Sequence, residues 1–369
     1  MKNVVKSVMN GLCLLILIVI LGVMVYSLYL SRPLFDEKLT PKFMSSFKVA
    51  APRSALTFAR YEDTGAMKLL LVTGIGENEL RGVDLSAVYG SVISDPRVLY
   101  NTVSYDALAI LATRASSAST EEAALIVVSI DNLILPMDFT YPHIAAGTNY
   151  ADHAEEVYVD DPPFLFPKLA HATQWNASIN ADSSSHLDYE AEICMVPLVD
   201  IPEPGVEVTM GLILCNDYTD RWTLLKEIDL DEPMGVTGFA AAKGKPGYLT
   251  VGYLLVIPRS PEFYRDIGFQ LYVNDGMRQN VLAKKMILTP TDIIRETFVS
   301  AQQDYFRDTE KVSLLPHRKI PAGTLLLTGT AGGVIFKPLN AWNPLLYLKR
   351  GDRVITVGDY LGHLDNRIR

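Results

Sequence analysis

The longest apolar segment of the chain comes first. Gly11 to Leu30 reads GLCLLILIVILGVMVYSLYL, 20 residues without a charge. A helix rising about 1.5 Å per residue would span about 30 Å over that length, the thickness of a bilayer's hydrocarbon core. Residues 1–10 form a short tail with Lys2 and Lys6, while Tyr26 and Tyr29 fall where an aromatic belt would lie. A signal peptide has a shorter core of roughly 7–15 residues and a small-residue cleavage site. Ser-Arg-Pro-Leu after Leu30 is a poor one, so the pattern predicts an uncleaved transmembrane helix over 11–30. Lys2 and Lys6 favour a cytoplasmic N-terminus with the bulk of the chain outside. Arg32, Lys38, Lys42, Lys48 and Arg53 pull the other way, and the balance leans slightly to an extracytoplasmic body.

Residues 31–54 are mixed, polar and punctuated by proline, the pattern of a linker. Residues 55–140 hold short apolar runs (67–73 and 124–130) around a helix predicted over 105–115 with Ser104 as its cap. This block clusters no titratable residues and reads as an accessory domain. From 141 to 369 the alternation becomes strand-like, at 189–197, 206–215, 247–257, 268–273, 325–328 and 353–357. Asn274-Asp275-Gly276 marks a hairpin, because its turn favours residues that tolerate positive φ. Thr289-Pro290-Thr291-Asp292 supplies a cap, a first-turn proline and a capping-box acid for a helix predicted to run to about Arg307. The class is α+β, rich in strands.

Composition narrows the function. The net charge of −9 includes no basic stripe, which argues against a nucleic-acid partner. Of three cysteines, Cys13 lies in the apolar N-terminal run, and Cys194 and Cys215 sit among Ile, Met, Leu and Val. They read as buried core thiols, and no Cys/His cluster suggests structural zinc.

Acidic side chains offer more. In HLDYEAEICMV, Leu187, Tyr189, Ala191 and Ile193 alternate with Asp188, Glu190 and Glu192, so a strand would aim Glu190 and Glu192 at one face. Two carboxylates that close repel unless something positive sits between them, and a divalent cation is the economical answer. The apolar run 211–215 ends in Asn216 and Asp217, a carboxylate at the end of a core strand. An all-oxygen donor set suits Mg²⁺ best, with Mn²⁺ or Ca²⁺ as alternatives, rather than zinc or copper. On spacing alone, a solvated strand face explains the same alternation.

Upstream, Gly147 breaks an apolar strand and the next residues take helical spacing. His153 and Glu156 are three apart, neighbours on one helical face, where a carboxylate can orient an imidazole as a water-activating base. The remaining histidines, His143, His171, His186, His317 and His363, have no patterned partners and read as structural or surface residues. Asn176-Ala177-Ser178 is a glycosylation sequon of the kind that arises by chance.

Taken in order, these segments resemble the fumarylacetoacetate hydrolase family. GTNYADHAEE (147–156), LDYEAEI (187–193), CNDYTDR (215–221) and AAKG (241–244) look like its base motif, acidic strand, third-carboxylate strand and lysine segment. GMRQ (276–279), LLTGTAGGV (326–334), LKRGDRV (348–354) and LGHLDN (361–366) continue the match. The resemblance implies a mixed β-roll catalytic domain over 141–369 behind a small N-terminal domain, and a homodimer. It implies Glu190, Glu192 and Asp217 as metal ligands, and His153 with Glu156 as the base, leaving Glu155 a bystander. Lys243 would stabilise developing negative charge, and Tyr150, Arg221, Gln279 and Thr330 would bind substrate oxygens. The chain departs from the family pattern at Ala331, at Val251-Gly252-Tyr253-Leu254 and at Trp222, which puts the substrate pocket in question.

The expectation is a membrane-anchored, metal-dependent hydrolase that cleaves a carbon–carbon bond in a small 1,3-dicarbonyl acid such as an acylpyruvate. Decarboxylation, hydration or isomerisation of related keto acids uses the same scaffold. A non-catalytic, membrane-anchored binding protein is the reading from another class. Turnover of an acylpyruvate discriminates it from an enzyme.

Overall fold

The structure, a computed structural model, describes residues 2–30, 32, 35–39, 47–117, 124–181 and 186–369. The first helix is Lys2–Leu30. Its stretch Val5–Tyr29 is long and apolar enough to cross a membrane, and its apolar window is not buried in the protein.

One long sheet organises the body. Its strands run in the order Leu125–Ser129, Glu79–Asp84, Ala66–Ile75, Ala55–Asp63, Leu254–Pro258, Met210–Asp217, Ala191–Pro197, Thr324–Leu327, Thr140–Gly147 and Phe164–Lys168. The strands before residue 140 therefore continue the sheet that carries the acidic residues. The helix Tyr105–Ser117, with Leu108, Ala112 and Ala115 buried, packs on the strands Ala66–Ile75, Glu79–Asp84 and Ala55–Asp63. A second sheet, in the order Gly276–Leu282, Gly268–Val273, Arg353–Gly358, Gly362–Ile368 and Ser178–Ile179, lies against the middle of the first. The central strands Ala191–Pro197 and Met210–Asp217 are covered on both faces, which explains why they read as nearly continuous apolar runs.

The Asn-Asp-Gly turn forms as expected, with Asn274 and Asp275 at φ 49° and 69°. Three expectations change. The helix capped by Thr289 ends at Val299 and passes through a short 3₁₀ turn, Ser300–Gln302, instead of running to about Arg307. Tyr305 is buried and starts a strand paired with Glu310–Val312, so tertiary burial overrides helical spacing there. The run 247–257 splits into Leu249–Val251 and Leu254–Pro258, because the Gly252 N–H turns to the Leu214 carbonyl and a Cβ there would lie 3.2 Å from that oxygen. Cys194 and Cys215 are not free thiols but a disulfide. Ile213 lies opposite Cys194, and Cys215 lies opposite Glu192. The two cysteines are thus diagonal neighbours on adjacent antiparallel strands, with Cα atoms 5.8 Å apart.

Part of the expected linker is packed. Leu39 donates its N–H to the Asp275 carbonyl, and Met277 donates to that of Glu37. Phe35, Leu39 and Phe47 cover Tyr272, Met277, Ile355 and Val357 on the outer face of the second sheet.

Candidate active site

The acidic residues meet where the two central strands end. In their antiparallel register Ala191 faces Asn216. Glu190 sits just before its strand; its N–H donates to Asn216 Oδ1 at 3.0 Å, and the Asp217 N–H donates to the Glu190 carbonyl at 2.9 Å. These bonds turn Glu190 toward Glu192 and Asp217. One oxygen from each of the three carboxylates lies within 4.8 Å of the others, and all three side chains are buried.

Side-chain cations surround them. Lys243, at the end of the short helix Phe239–Ala242, donates to Glu190 Oε2 at 2.6 Å and Asp217 Oδ2 at 3.0 Å. Arg221 starts the helix Arg221–Glu227 and bridges Glu190 Oε1 at 2.6 Å and Asp188 Oδ2 at 2.9 Å. Lys168 ends the strand Phe164–Lys168 and donates to Asp217 Oδ1 at 2.5 Å and to the carbonyls of Lys243 and Tyr248. Sequence reasoning missed Lys168. Its only signal is a lone charge closing an apolar strand, as Asp217 does. It also missed Asp188, which anchors Arg221 and accepts the N–H groups of Ile335 and Phe336.

These charges do not balance. Asp188, Glu190, Glu192 and Asp217 face Lys168, Lys243 and Arg221, and Glu192 makes no ion pair among the described residues. Burial works against ionisation of Glu190, yet Lys243 and Arg221 hold its pKa down at about 2. Burial, followed by Asp217 and Glu190, pushes Glu192 well above the usual range, with the Gly329 N–H at 2.8 Å opposing. Gly329 offers that N–H from φ +84°, a conformation suited to glycine. Burial pulls the Lys168 ammonium down against the pull of Asp217, whereas Asp217 and Glu190 outweigh burial and raise Lys243.

Three buried carboxylates with converging oxygens and one uncompensated charge form a donor set that fits a divalent cation. The Tyr150 hydroxyl, fully buried and raised first by burial and then by Glu192, has no hydrogen-bond partner among the described residues. It is an orphaned polar group beside the cluster.

His153 lies on the helix Ala151–Glu156 with its ring buried, and Glu155 points to solvent. His153 Nδ1 is 3.8 Å from Glu156 Oε2, close enough to pair but beyond hydrogen-bond distance. Glu156 is drawn aside by Lys337 Nζ at 2.5 Å and the Gly333 N–H at 3.0 Å. Although burial disfavours its charge, His153 and Lys337 hold the Glu156 carboxyl below its usual range. Gly333 permits this loop: at φ +104°, a Cβ would meet the Arg278 carbonyl oxygen at 2.2 Å.

The expected substrate binders divide. Arg221 and Thr330 line a cleft of about 630 Å³ together with His153, Glu190 and Lys243. Tyr150 and Gln279 do not line it. Gln279 lies behind the wall, donating to Thr330 Oγ1 and the Ala331 carbonyl and accepting from the Ala191 N–H. It positions Thr330 and the acidic strand.

Comparison with known proteins gives a family and a fold. The family model described as fumarylacetoacetate (FAA) hydrolase C-terminal matches residues 142–369. A mitochondrial oxaloacetate tautomerase of Rattus norvegicus is 25% identical over 232 residues, 61% of this chain and 65% of the rat protein. A bifunctional isomerase/decarboxylase of 4-hydroxyphenylacetate degradation from Salmonella dublin is 25% identical over 177 residues, 44% of this chain and 39% of its own. The alignments thus span less than two thirds of either relative. The fold matches that of a fumarylacetoacetate hydrolase from Exiguobacterium antarcticum at a TM-score of 0.58 and 21% identity, covering 85% of this chain and 99% of the other.

Proposed function

The chain belongs to the fumarylacetoacetate hydrolase family, and from that premise we propose that it hydrolyses a carbon–carbon bond in a 1,3-dicarbonyl acid. The observation that carries this reading is that His153, paired to Glu156, opens on the same cleft as Glu190 and Lys243. Decarboxylation of a keto acid needs no activated water and would leave an imidazole base without a task.

Glu190, Glu192 and Asp217 would hold a divalent cation, Mg²⁺ or Mn²⁺, whose chemistry when bound is Lewis-acid polarisation of neighbouring carboxylate and keto oxygens. His153 takes a proton from water through the ring nitrogen facing the cleft, with Glu156 Oε2 3.8 Å from Nδ1 on its other side. The water oxygen bonds to the distal acyl carbonyl carbon, and the bond from that carbon to the central methylene breaks. Its electron pair passes to an enolate oxygen, which the Lys243 ammonium stabilises. Return of the proton to the methylene carbon yields a carboxylic acid and a 2-keto acid such as pyruvate. Arg221 and Thr330 orient the head group, and Lys168 and Asp188 hold Asp217 and Arg221 in place.

The same reading makes the N-terminal helix a membrane anchor with the body on the extracytoplasmic side, which the Cys194–Cys215 bridge supports, since such bridges persist in oxidising compartments. Protease added outside sealed cells should digest the body; full protection would place it inside.

The functional test is metal-dependent release of pyruvate from an acylpyruvate by the full chain in detergent. Loss of turnover in His153→Ala and Glu190→Gln is expected. Hydrolysis that survives His153→Ala removes the assigned base. Decarboxylation or tautomerisation of oxaloacetate without cleavage of the acylpyruvate replaces hydrolysis with the chemistry for which the two relatives are named.

A further inference from the structure

Among the described residues, charge in the cleft is confined to its floor, where Glu190 pairs with Arg221 and Lys243 and His153 lies near them; no other lining residue is charged. The remaining walls include Phe164, Phe166, Leu224, Ile228, Met234 and Phe239, together with residues 157–159 and Phe336. The Phe239 ring packs 5.0 Å from that of Phe164 and 5.1 Å from that of Phe166, forming a continuous aromatic side. At the mouth, Leu230 is 80% exposed and Tyr158 69%, so the apolar surface reaches solvent.

A ligand that reaches from floor to mouth meets two environments. Its acid end finds Arg221 and Lys243. A second carboxylate at its far end would leave water with no cation to receive it, because no described residue lining the cleft beyond the floor is charged. A hydrocarbon group there would cover surface that otherwise stands exposed to water. Taking this cleft as the substrate site, as proposed above, we infer that the acyl substituent it accepts is an extended apolar group, and that the substrate is a monocarboxylate with a hydrophobic tail. Phe164, Phe239 and Met234 select the tail, while the floor reads the keto-acid head.

Two matched series test this. One is a set of 2,4-diketo acids with acyl tails from methyl to heptyl, plus one tail ending in a carboxylate, assayed for turnover. The other is the set of 2-keto acids with the same tails, which lack the scissile bond, titrated by calorimetry in Mg²⁺. The expected result is tighter binding by about threefold to fourfold per added methylene, with the carboxylate-ended member weakest. A flat series, a preference for the carboxylate tail or no binding of any member overturns the inference. If no diketo acid is cleaved while the 2-keto acids still show the rise, the hydrolase reading fails and the apolar tail site stands. Met234→Arg should reverse the preference toward the carboxylate tail. Leu230→Arg, at an exposed position that does not threaten folding, should reverse it in part; unchanged preference in both folded variants overturns the assignment of the wall.

Discussion

Among single side chains, Glu192 carries the charge that Lys168, Lys243 and Arg221 leave uncompensated, and it is the member of the triad whose pKa burial and its acidic neighbours raise. Replacing it with glutamine removes that repulsion while keeping an acceptor for the Gly329 N–H. In chelator, Glu192→Gln should therefore melt a few degrees above the parent. Adding Mg²⁺ or Mn²⁺ should raise the parent's melting temperature by mass action and leave the variant's unchanged. Equal metal-induced shifts in both proteins would remove Glu192 from the donor set. The histidines that sequence left without a role supply a second prediction. His143 and His363 are buried, and burial lowers their pKa values to about 3 and about 4. Each takes up a proton on unfolding below pH 6.5, where the unfolded imidazole is charged and the folded one is not. Stability should thus fall as pH drops from 6.5 toward 4, by about 1.4 kcal/mol per pH unit for each. Denaturant titrations at pH 7 and pH 5 measure the slope, and His143→Gln should remove close to half of it.

At the level of elements, the disulfide ties the strand carrying Glu192 to the strand carrying Asp217, two residues from each ligand. It closes a loop over a sequence separation of 21 residues, and losing a link of that span costs about 3 kcal/mol in the chain-entropy account. Cys194→Ser with Cys215→Ser should lower stability by that order, and thiol titration of the unfolded, unreduced parent should find Cys13 alone. Finding three thiols would refute the bridge. Sequence displayed these strands well, because alternation and apolar runs follow from burial of their faces. It also displayed Asp217, since a charge closing a core strand is visible. The bridge was less legible: buried thiols and bonded cysteines occupy the same apolar surroundings, and only register brings Cys194 and Cys215 onto diagonal positions. Register likewise decides that Gln279 faces Ala191 and Thr330 rather than the cleft, and no local pattern encodes it.

For the whole molecule, the segment after the N-terminal helix does more than connect. Phe35, Leu39 and Phe47 shield Tyr272, Met277, Ile355 and Val357, so the body reaches back almost to the helix. A soluble fragment starting at residue 32 should be monodisperse or form one defined oligomer. A fragment starting at 50 should expose that apolar face and aggregate or melt earlier, in light scattering and thermal unfolding. Equal behaviour of the two fragments would make the segment dispensable. The polar, proline-punctuated sequence of 31–54 hid this, because three aromatic and aliphatic side chains spaced irregularly along a chain carry no period.

The shared sheet has a consequence in time. Arg60 and Tyr61 pair with Ile134 and Leu133, but Ala55 to Ala59 pair with 254–258, so this half of the strand Ala55–Asp63 finds its second neighbour only after most of the chain has left the ribosome. Until then that stretch of its edge is open to any extended chain nearby. Distant pairing of this kind slows folding. A nascent chain would wait with that stretch unpaired, which makes synthesis, rather than the finished protein, the stage most exposed to aggregation.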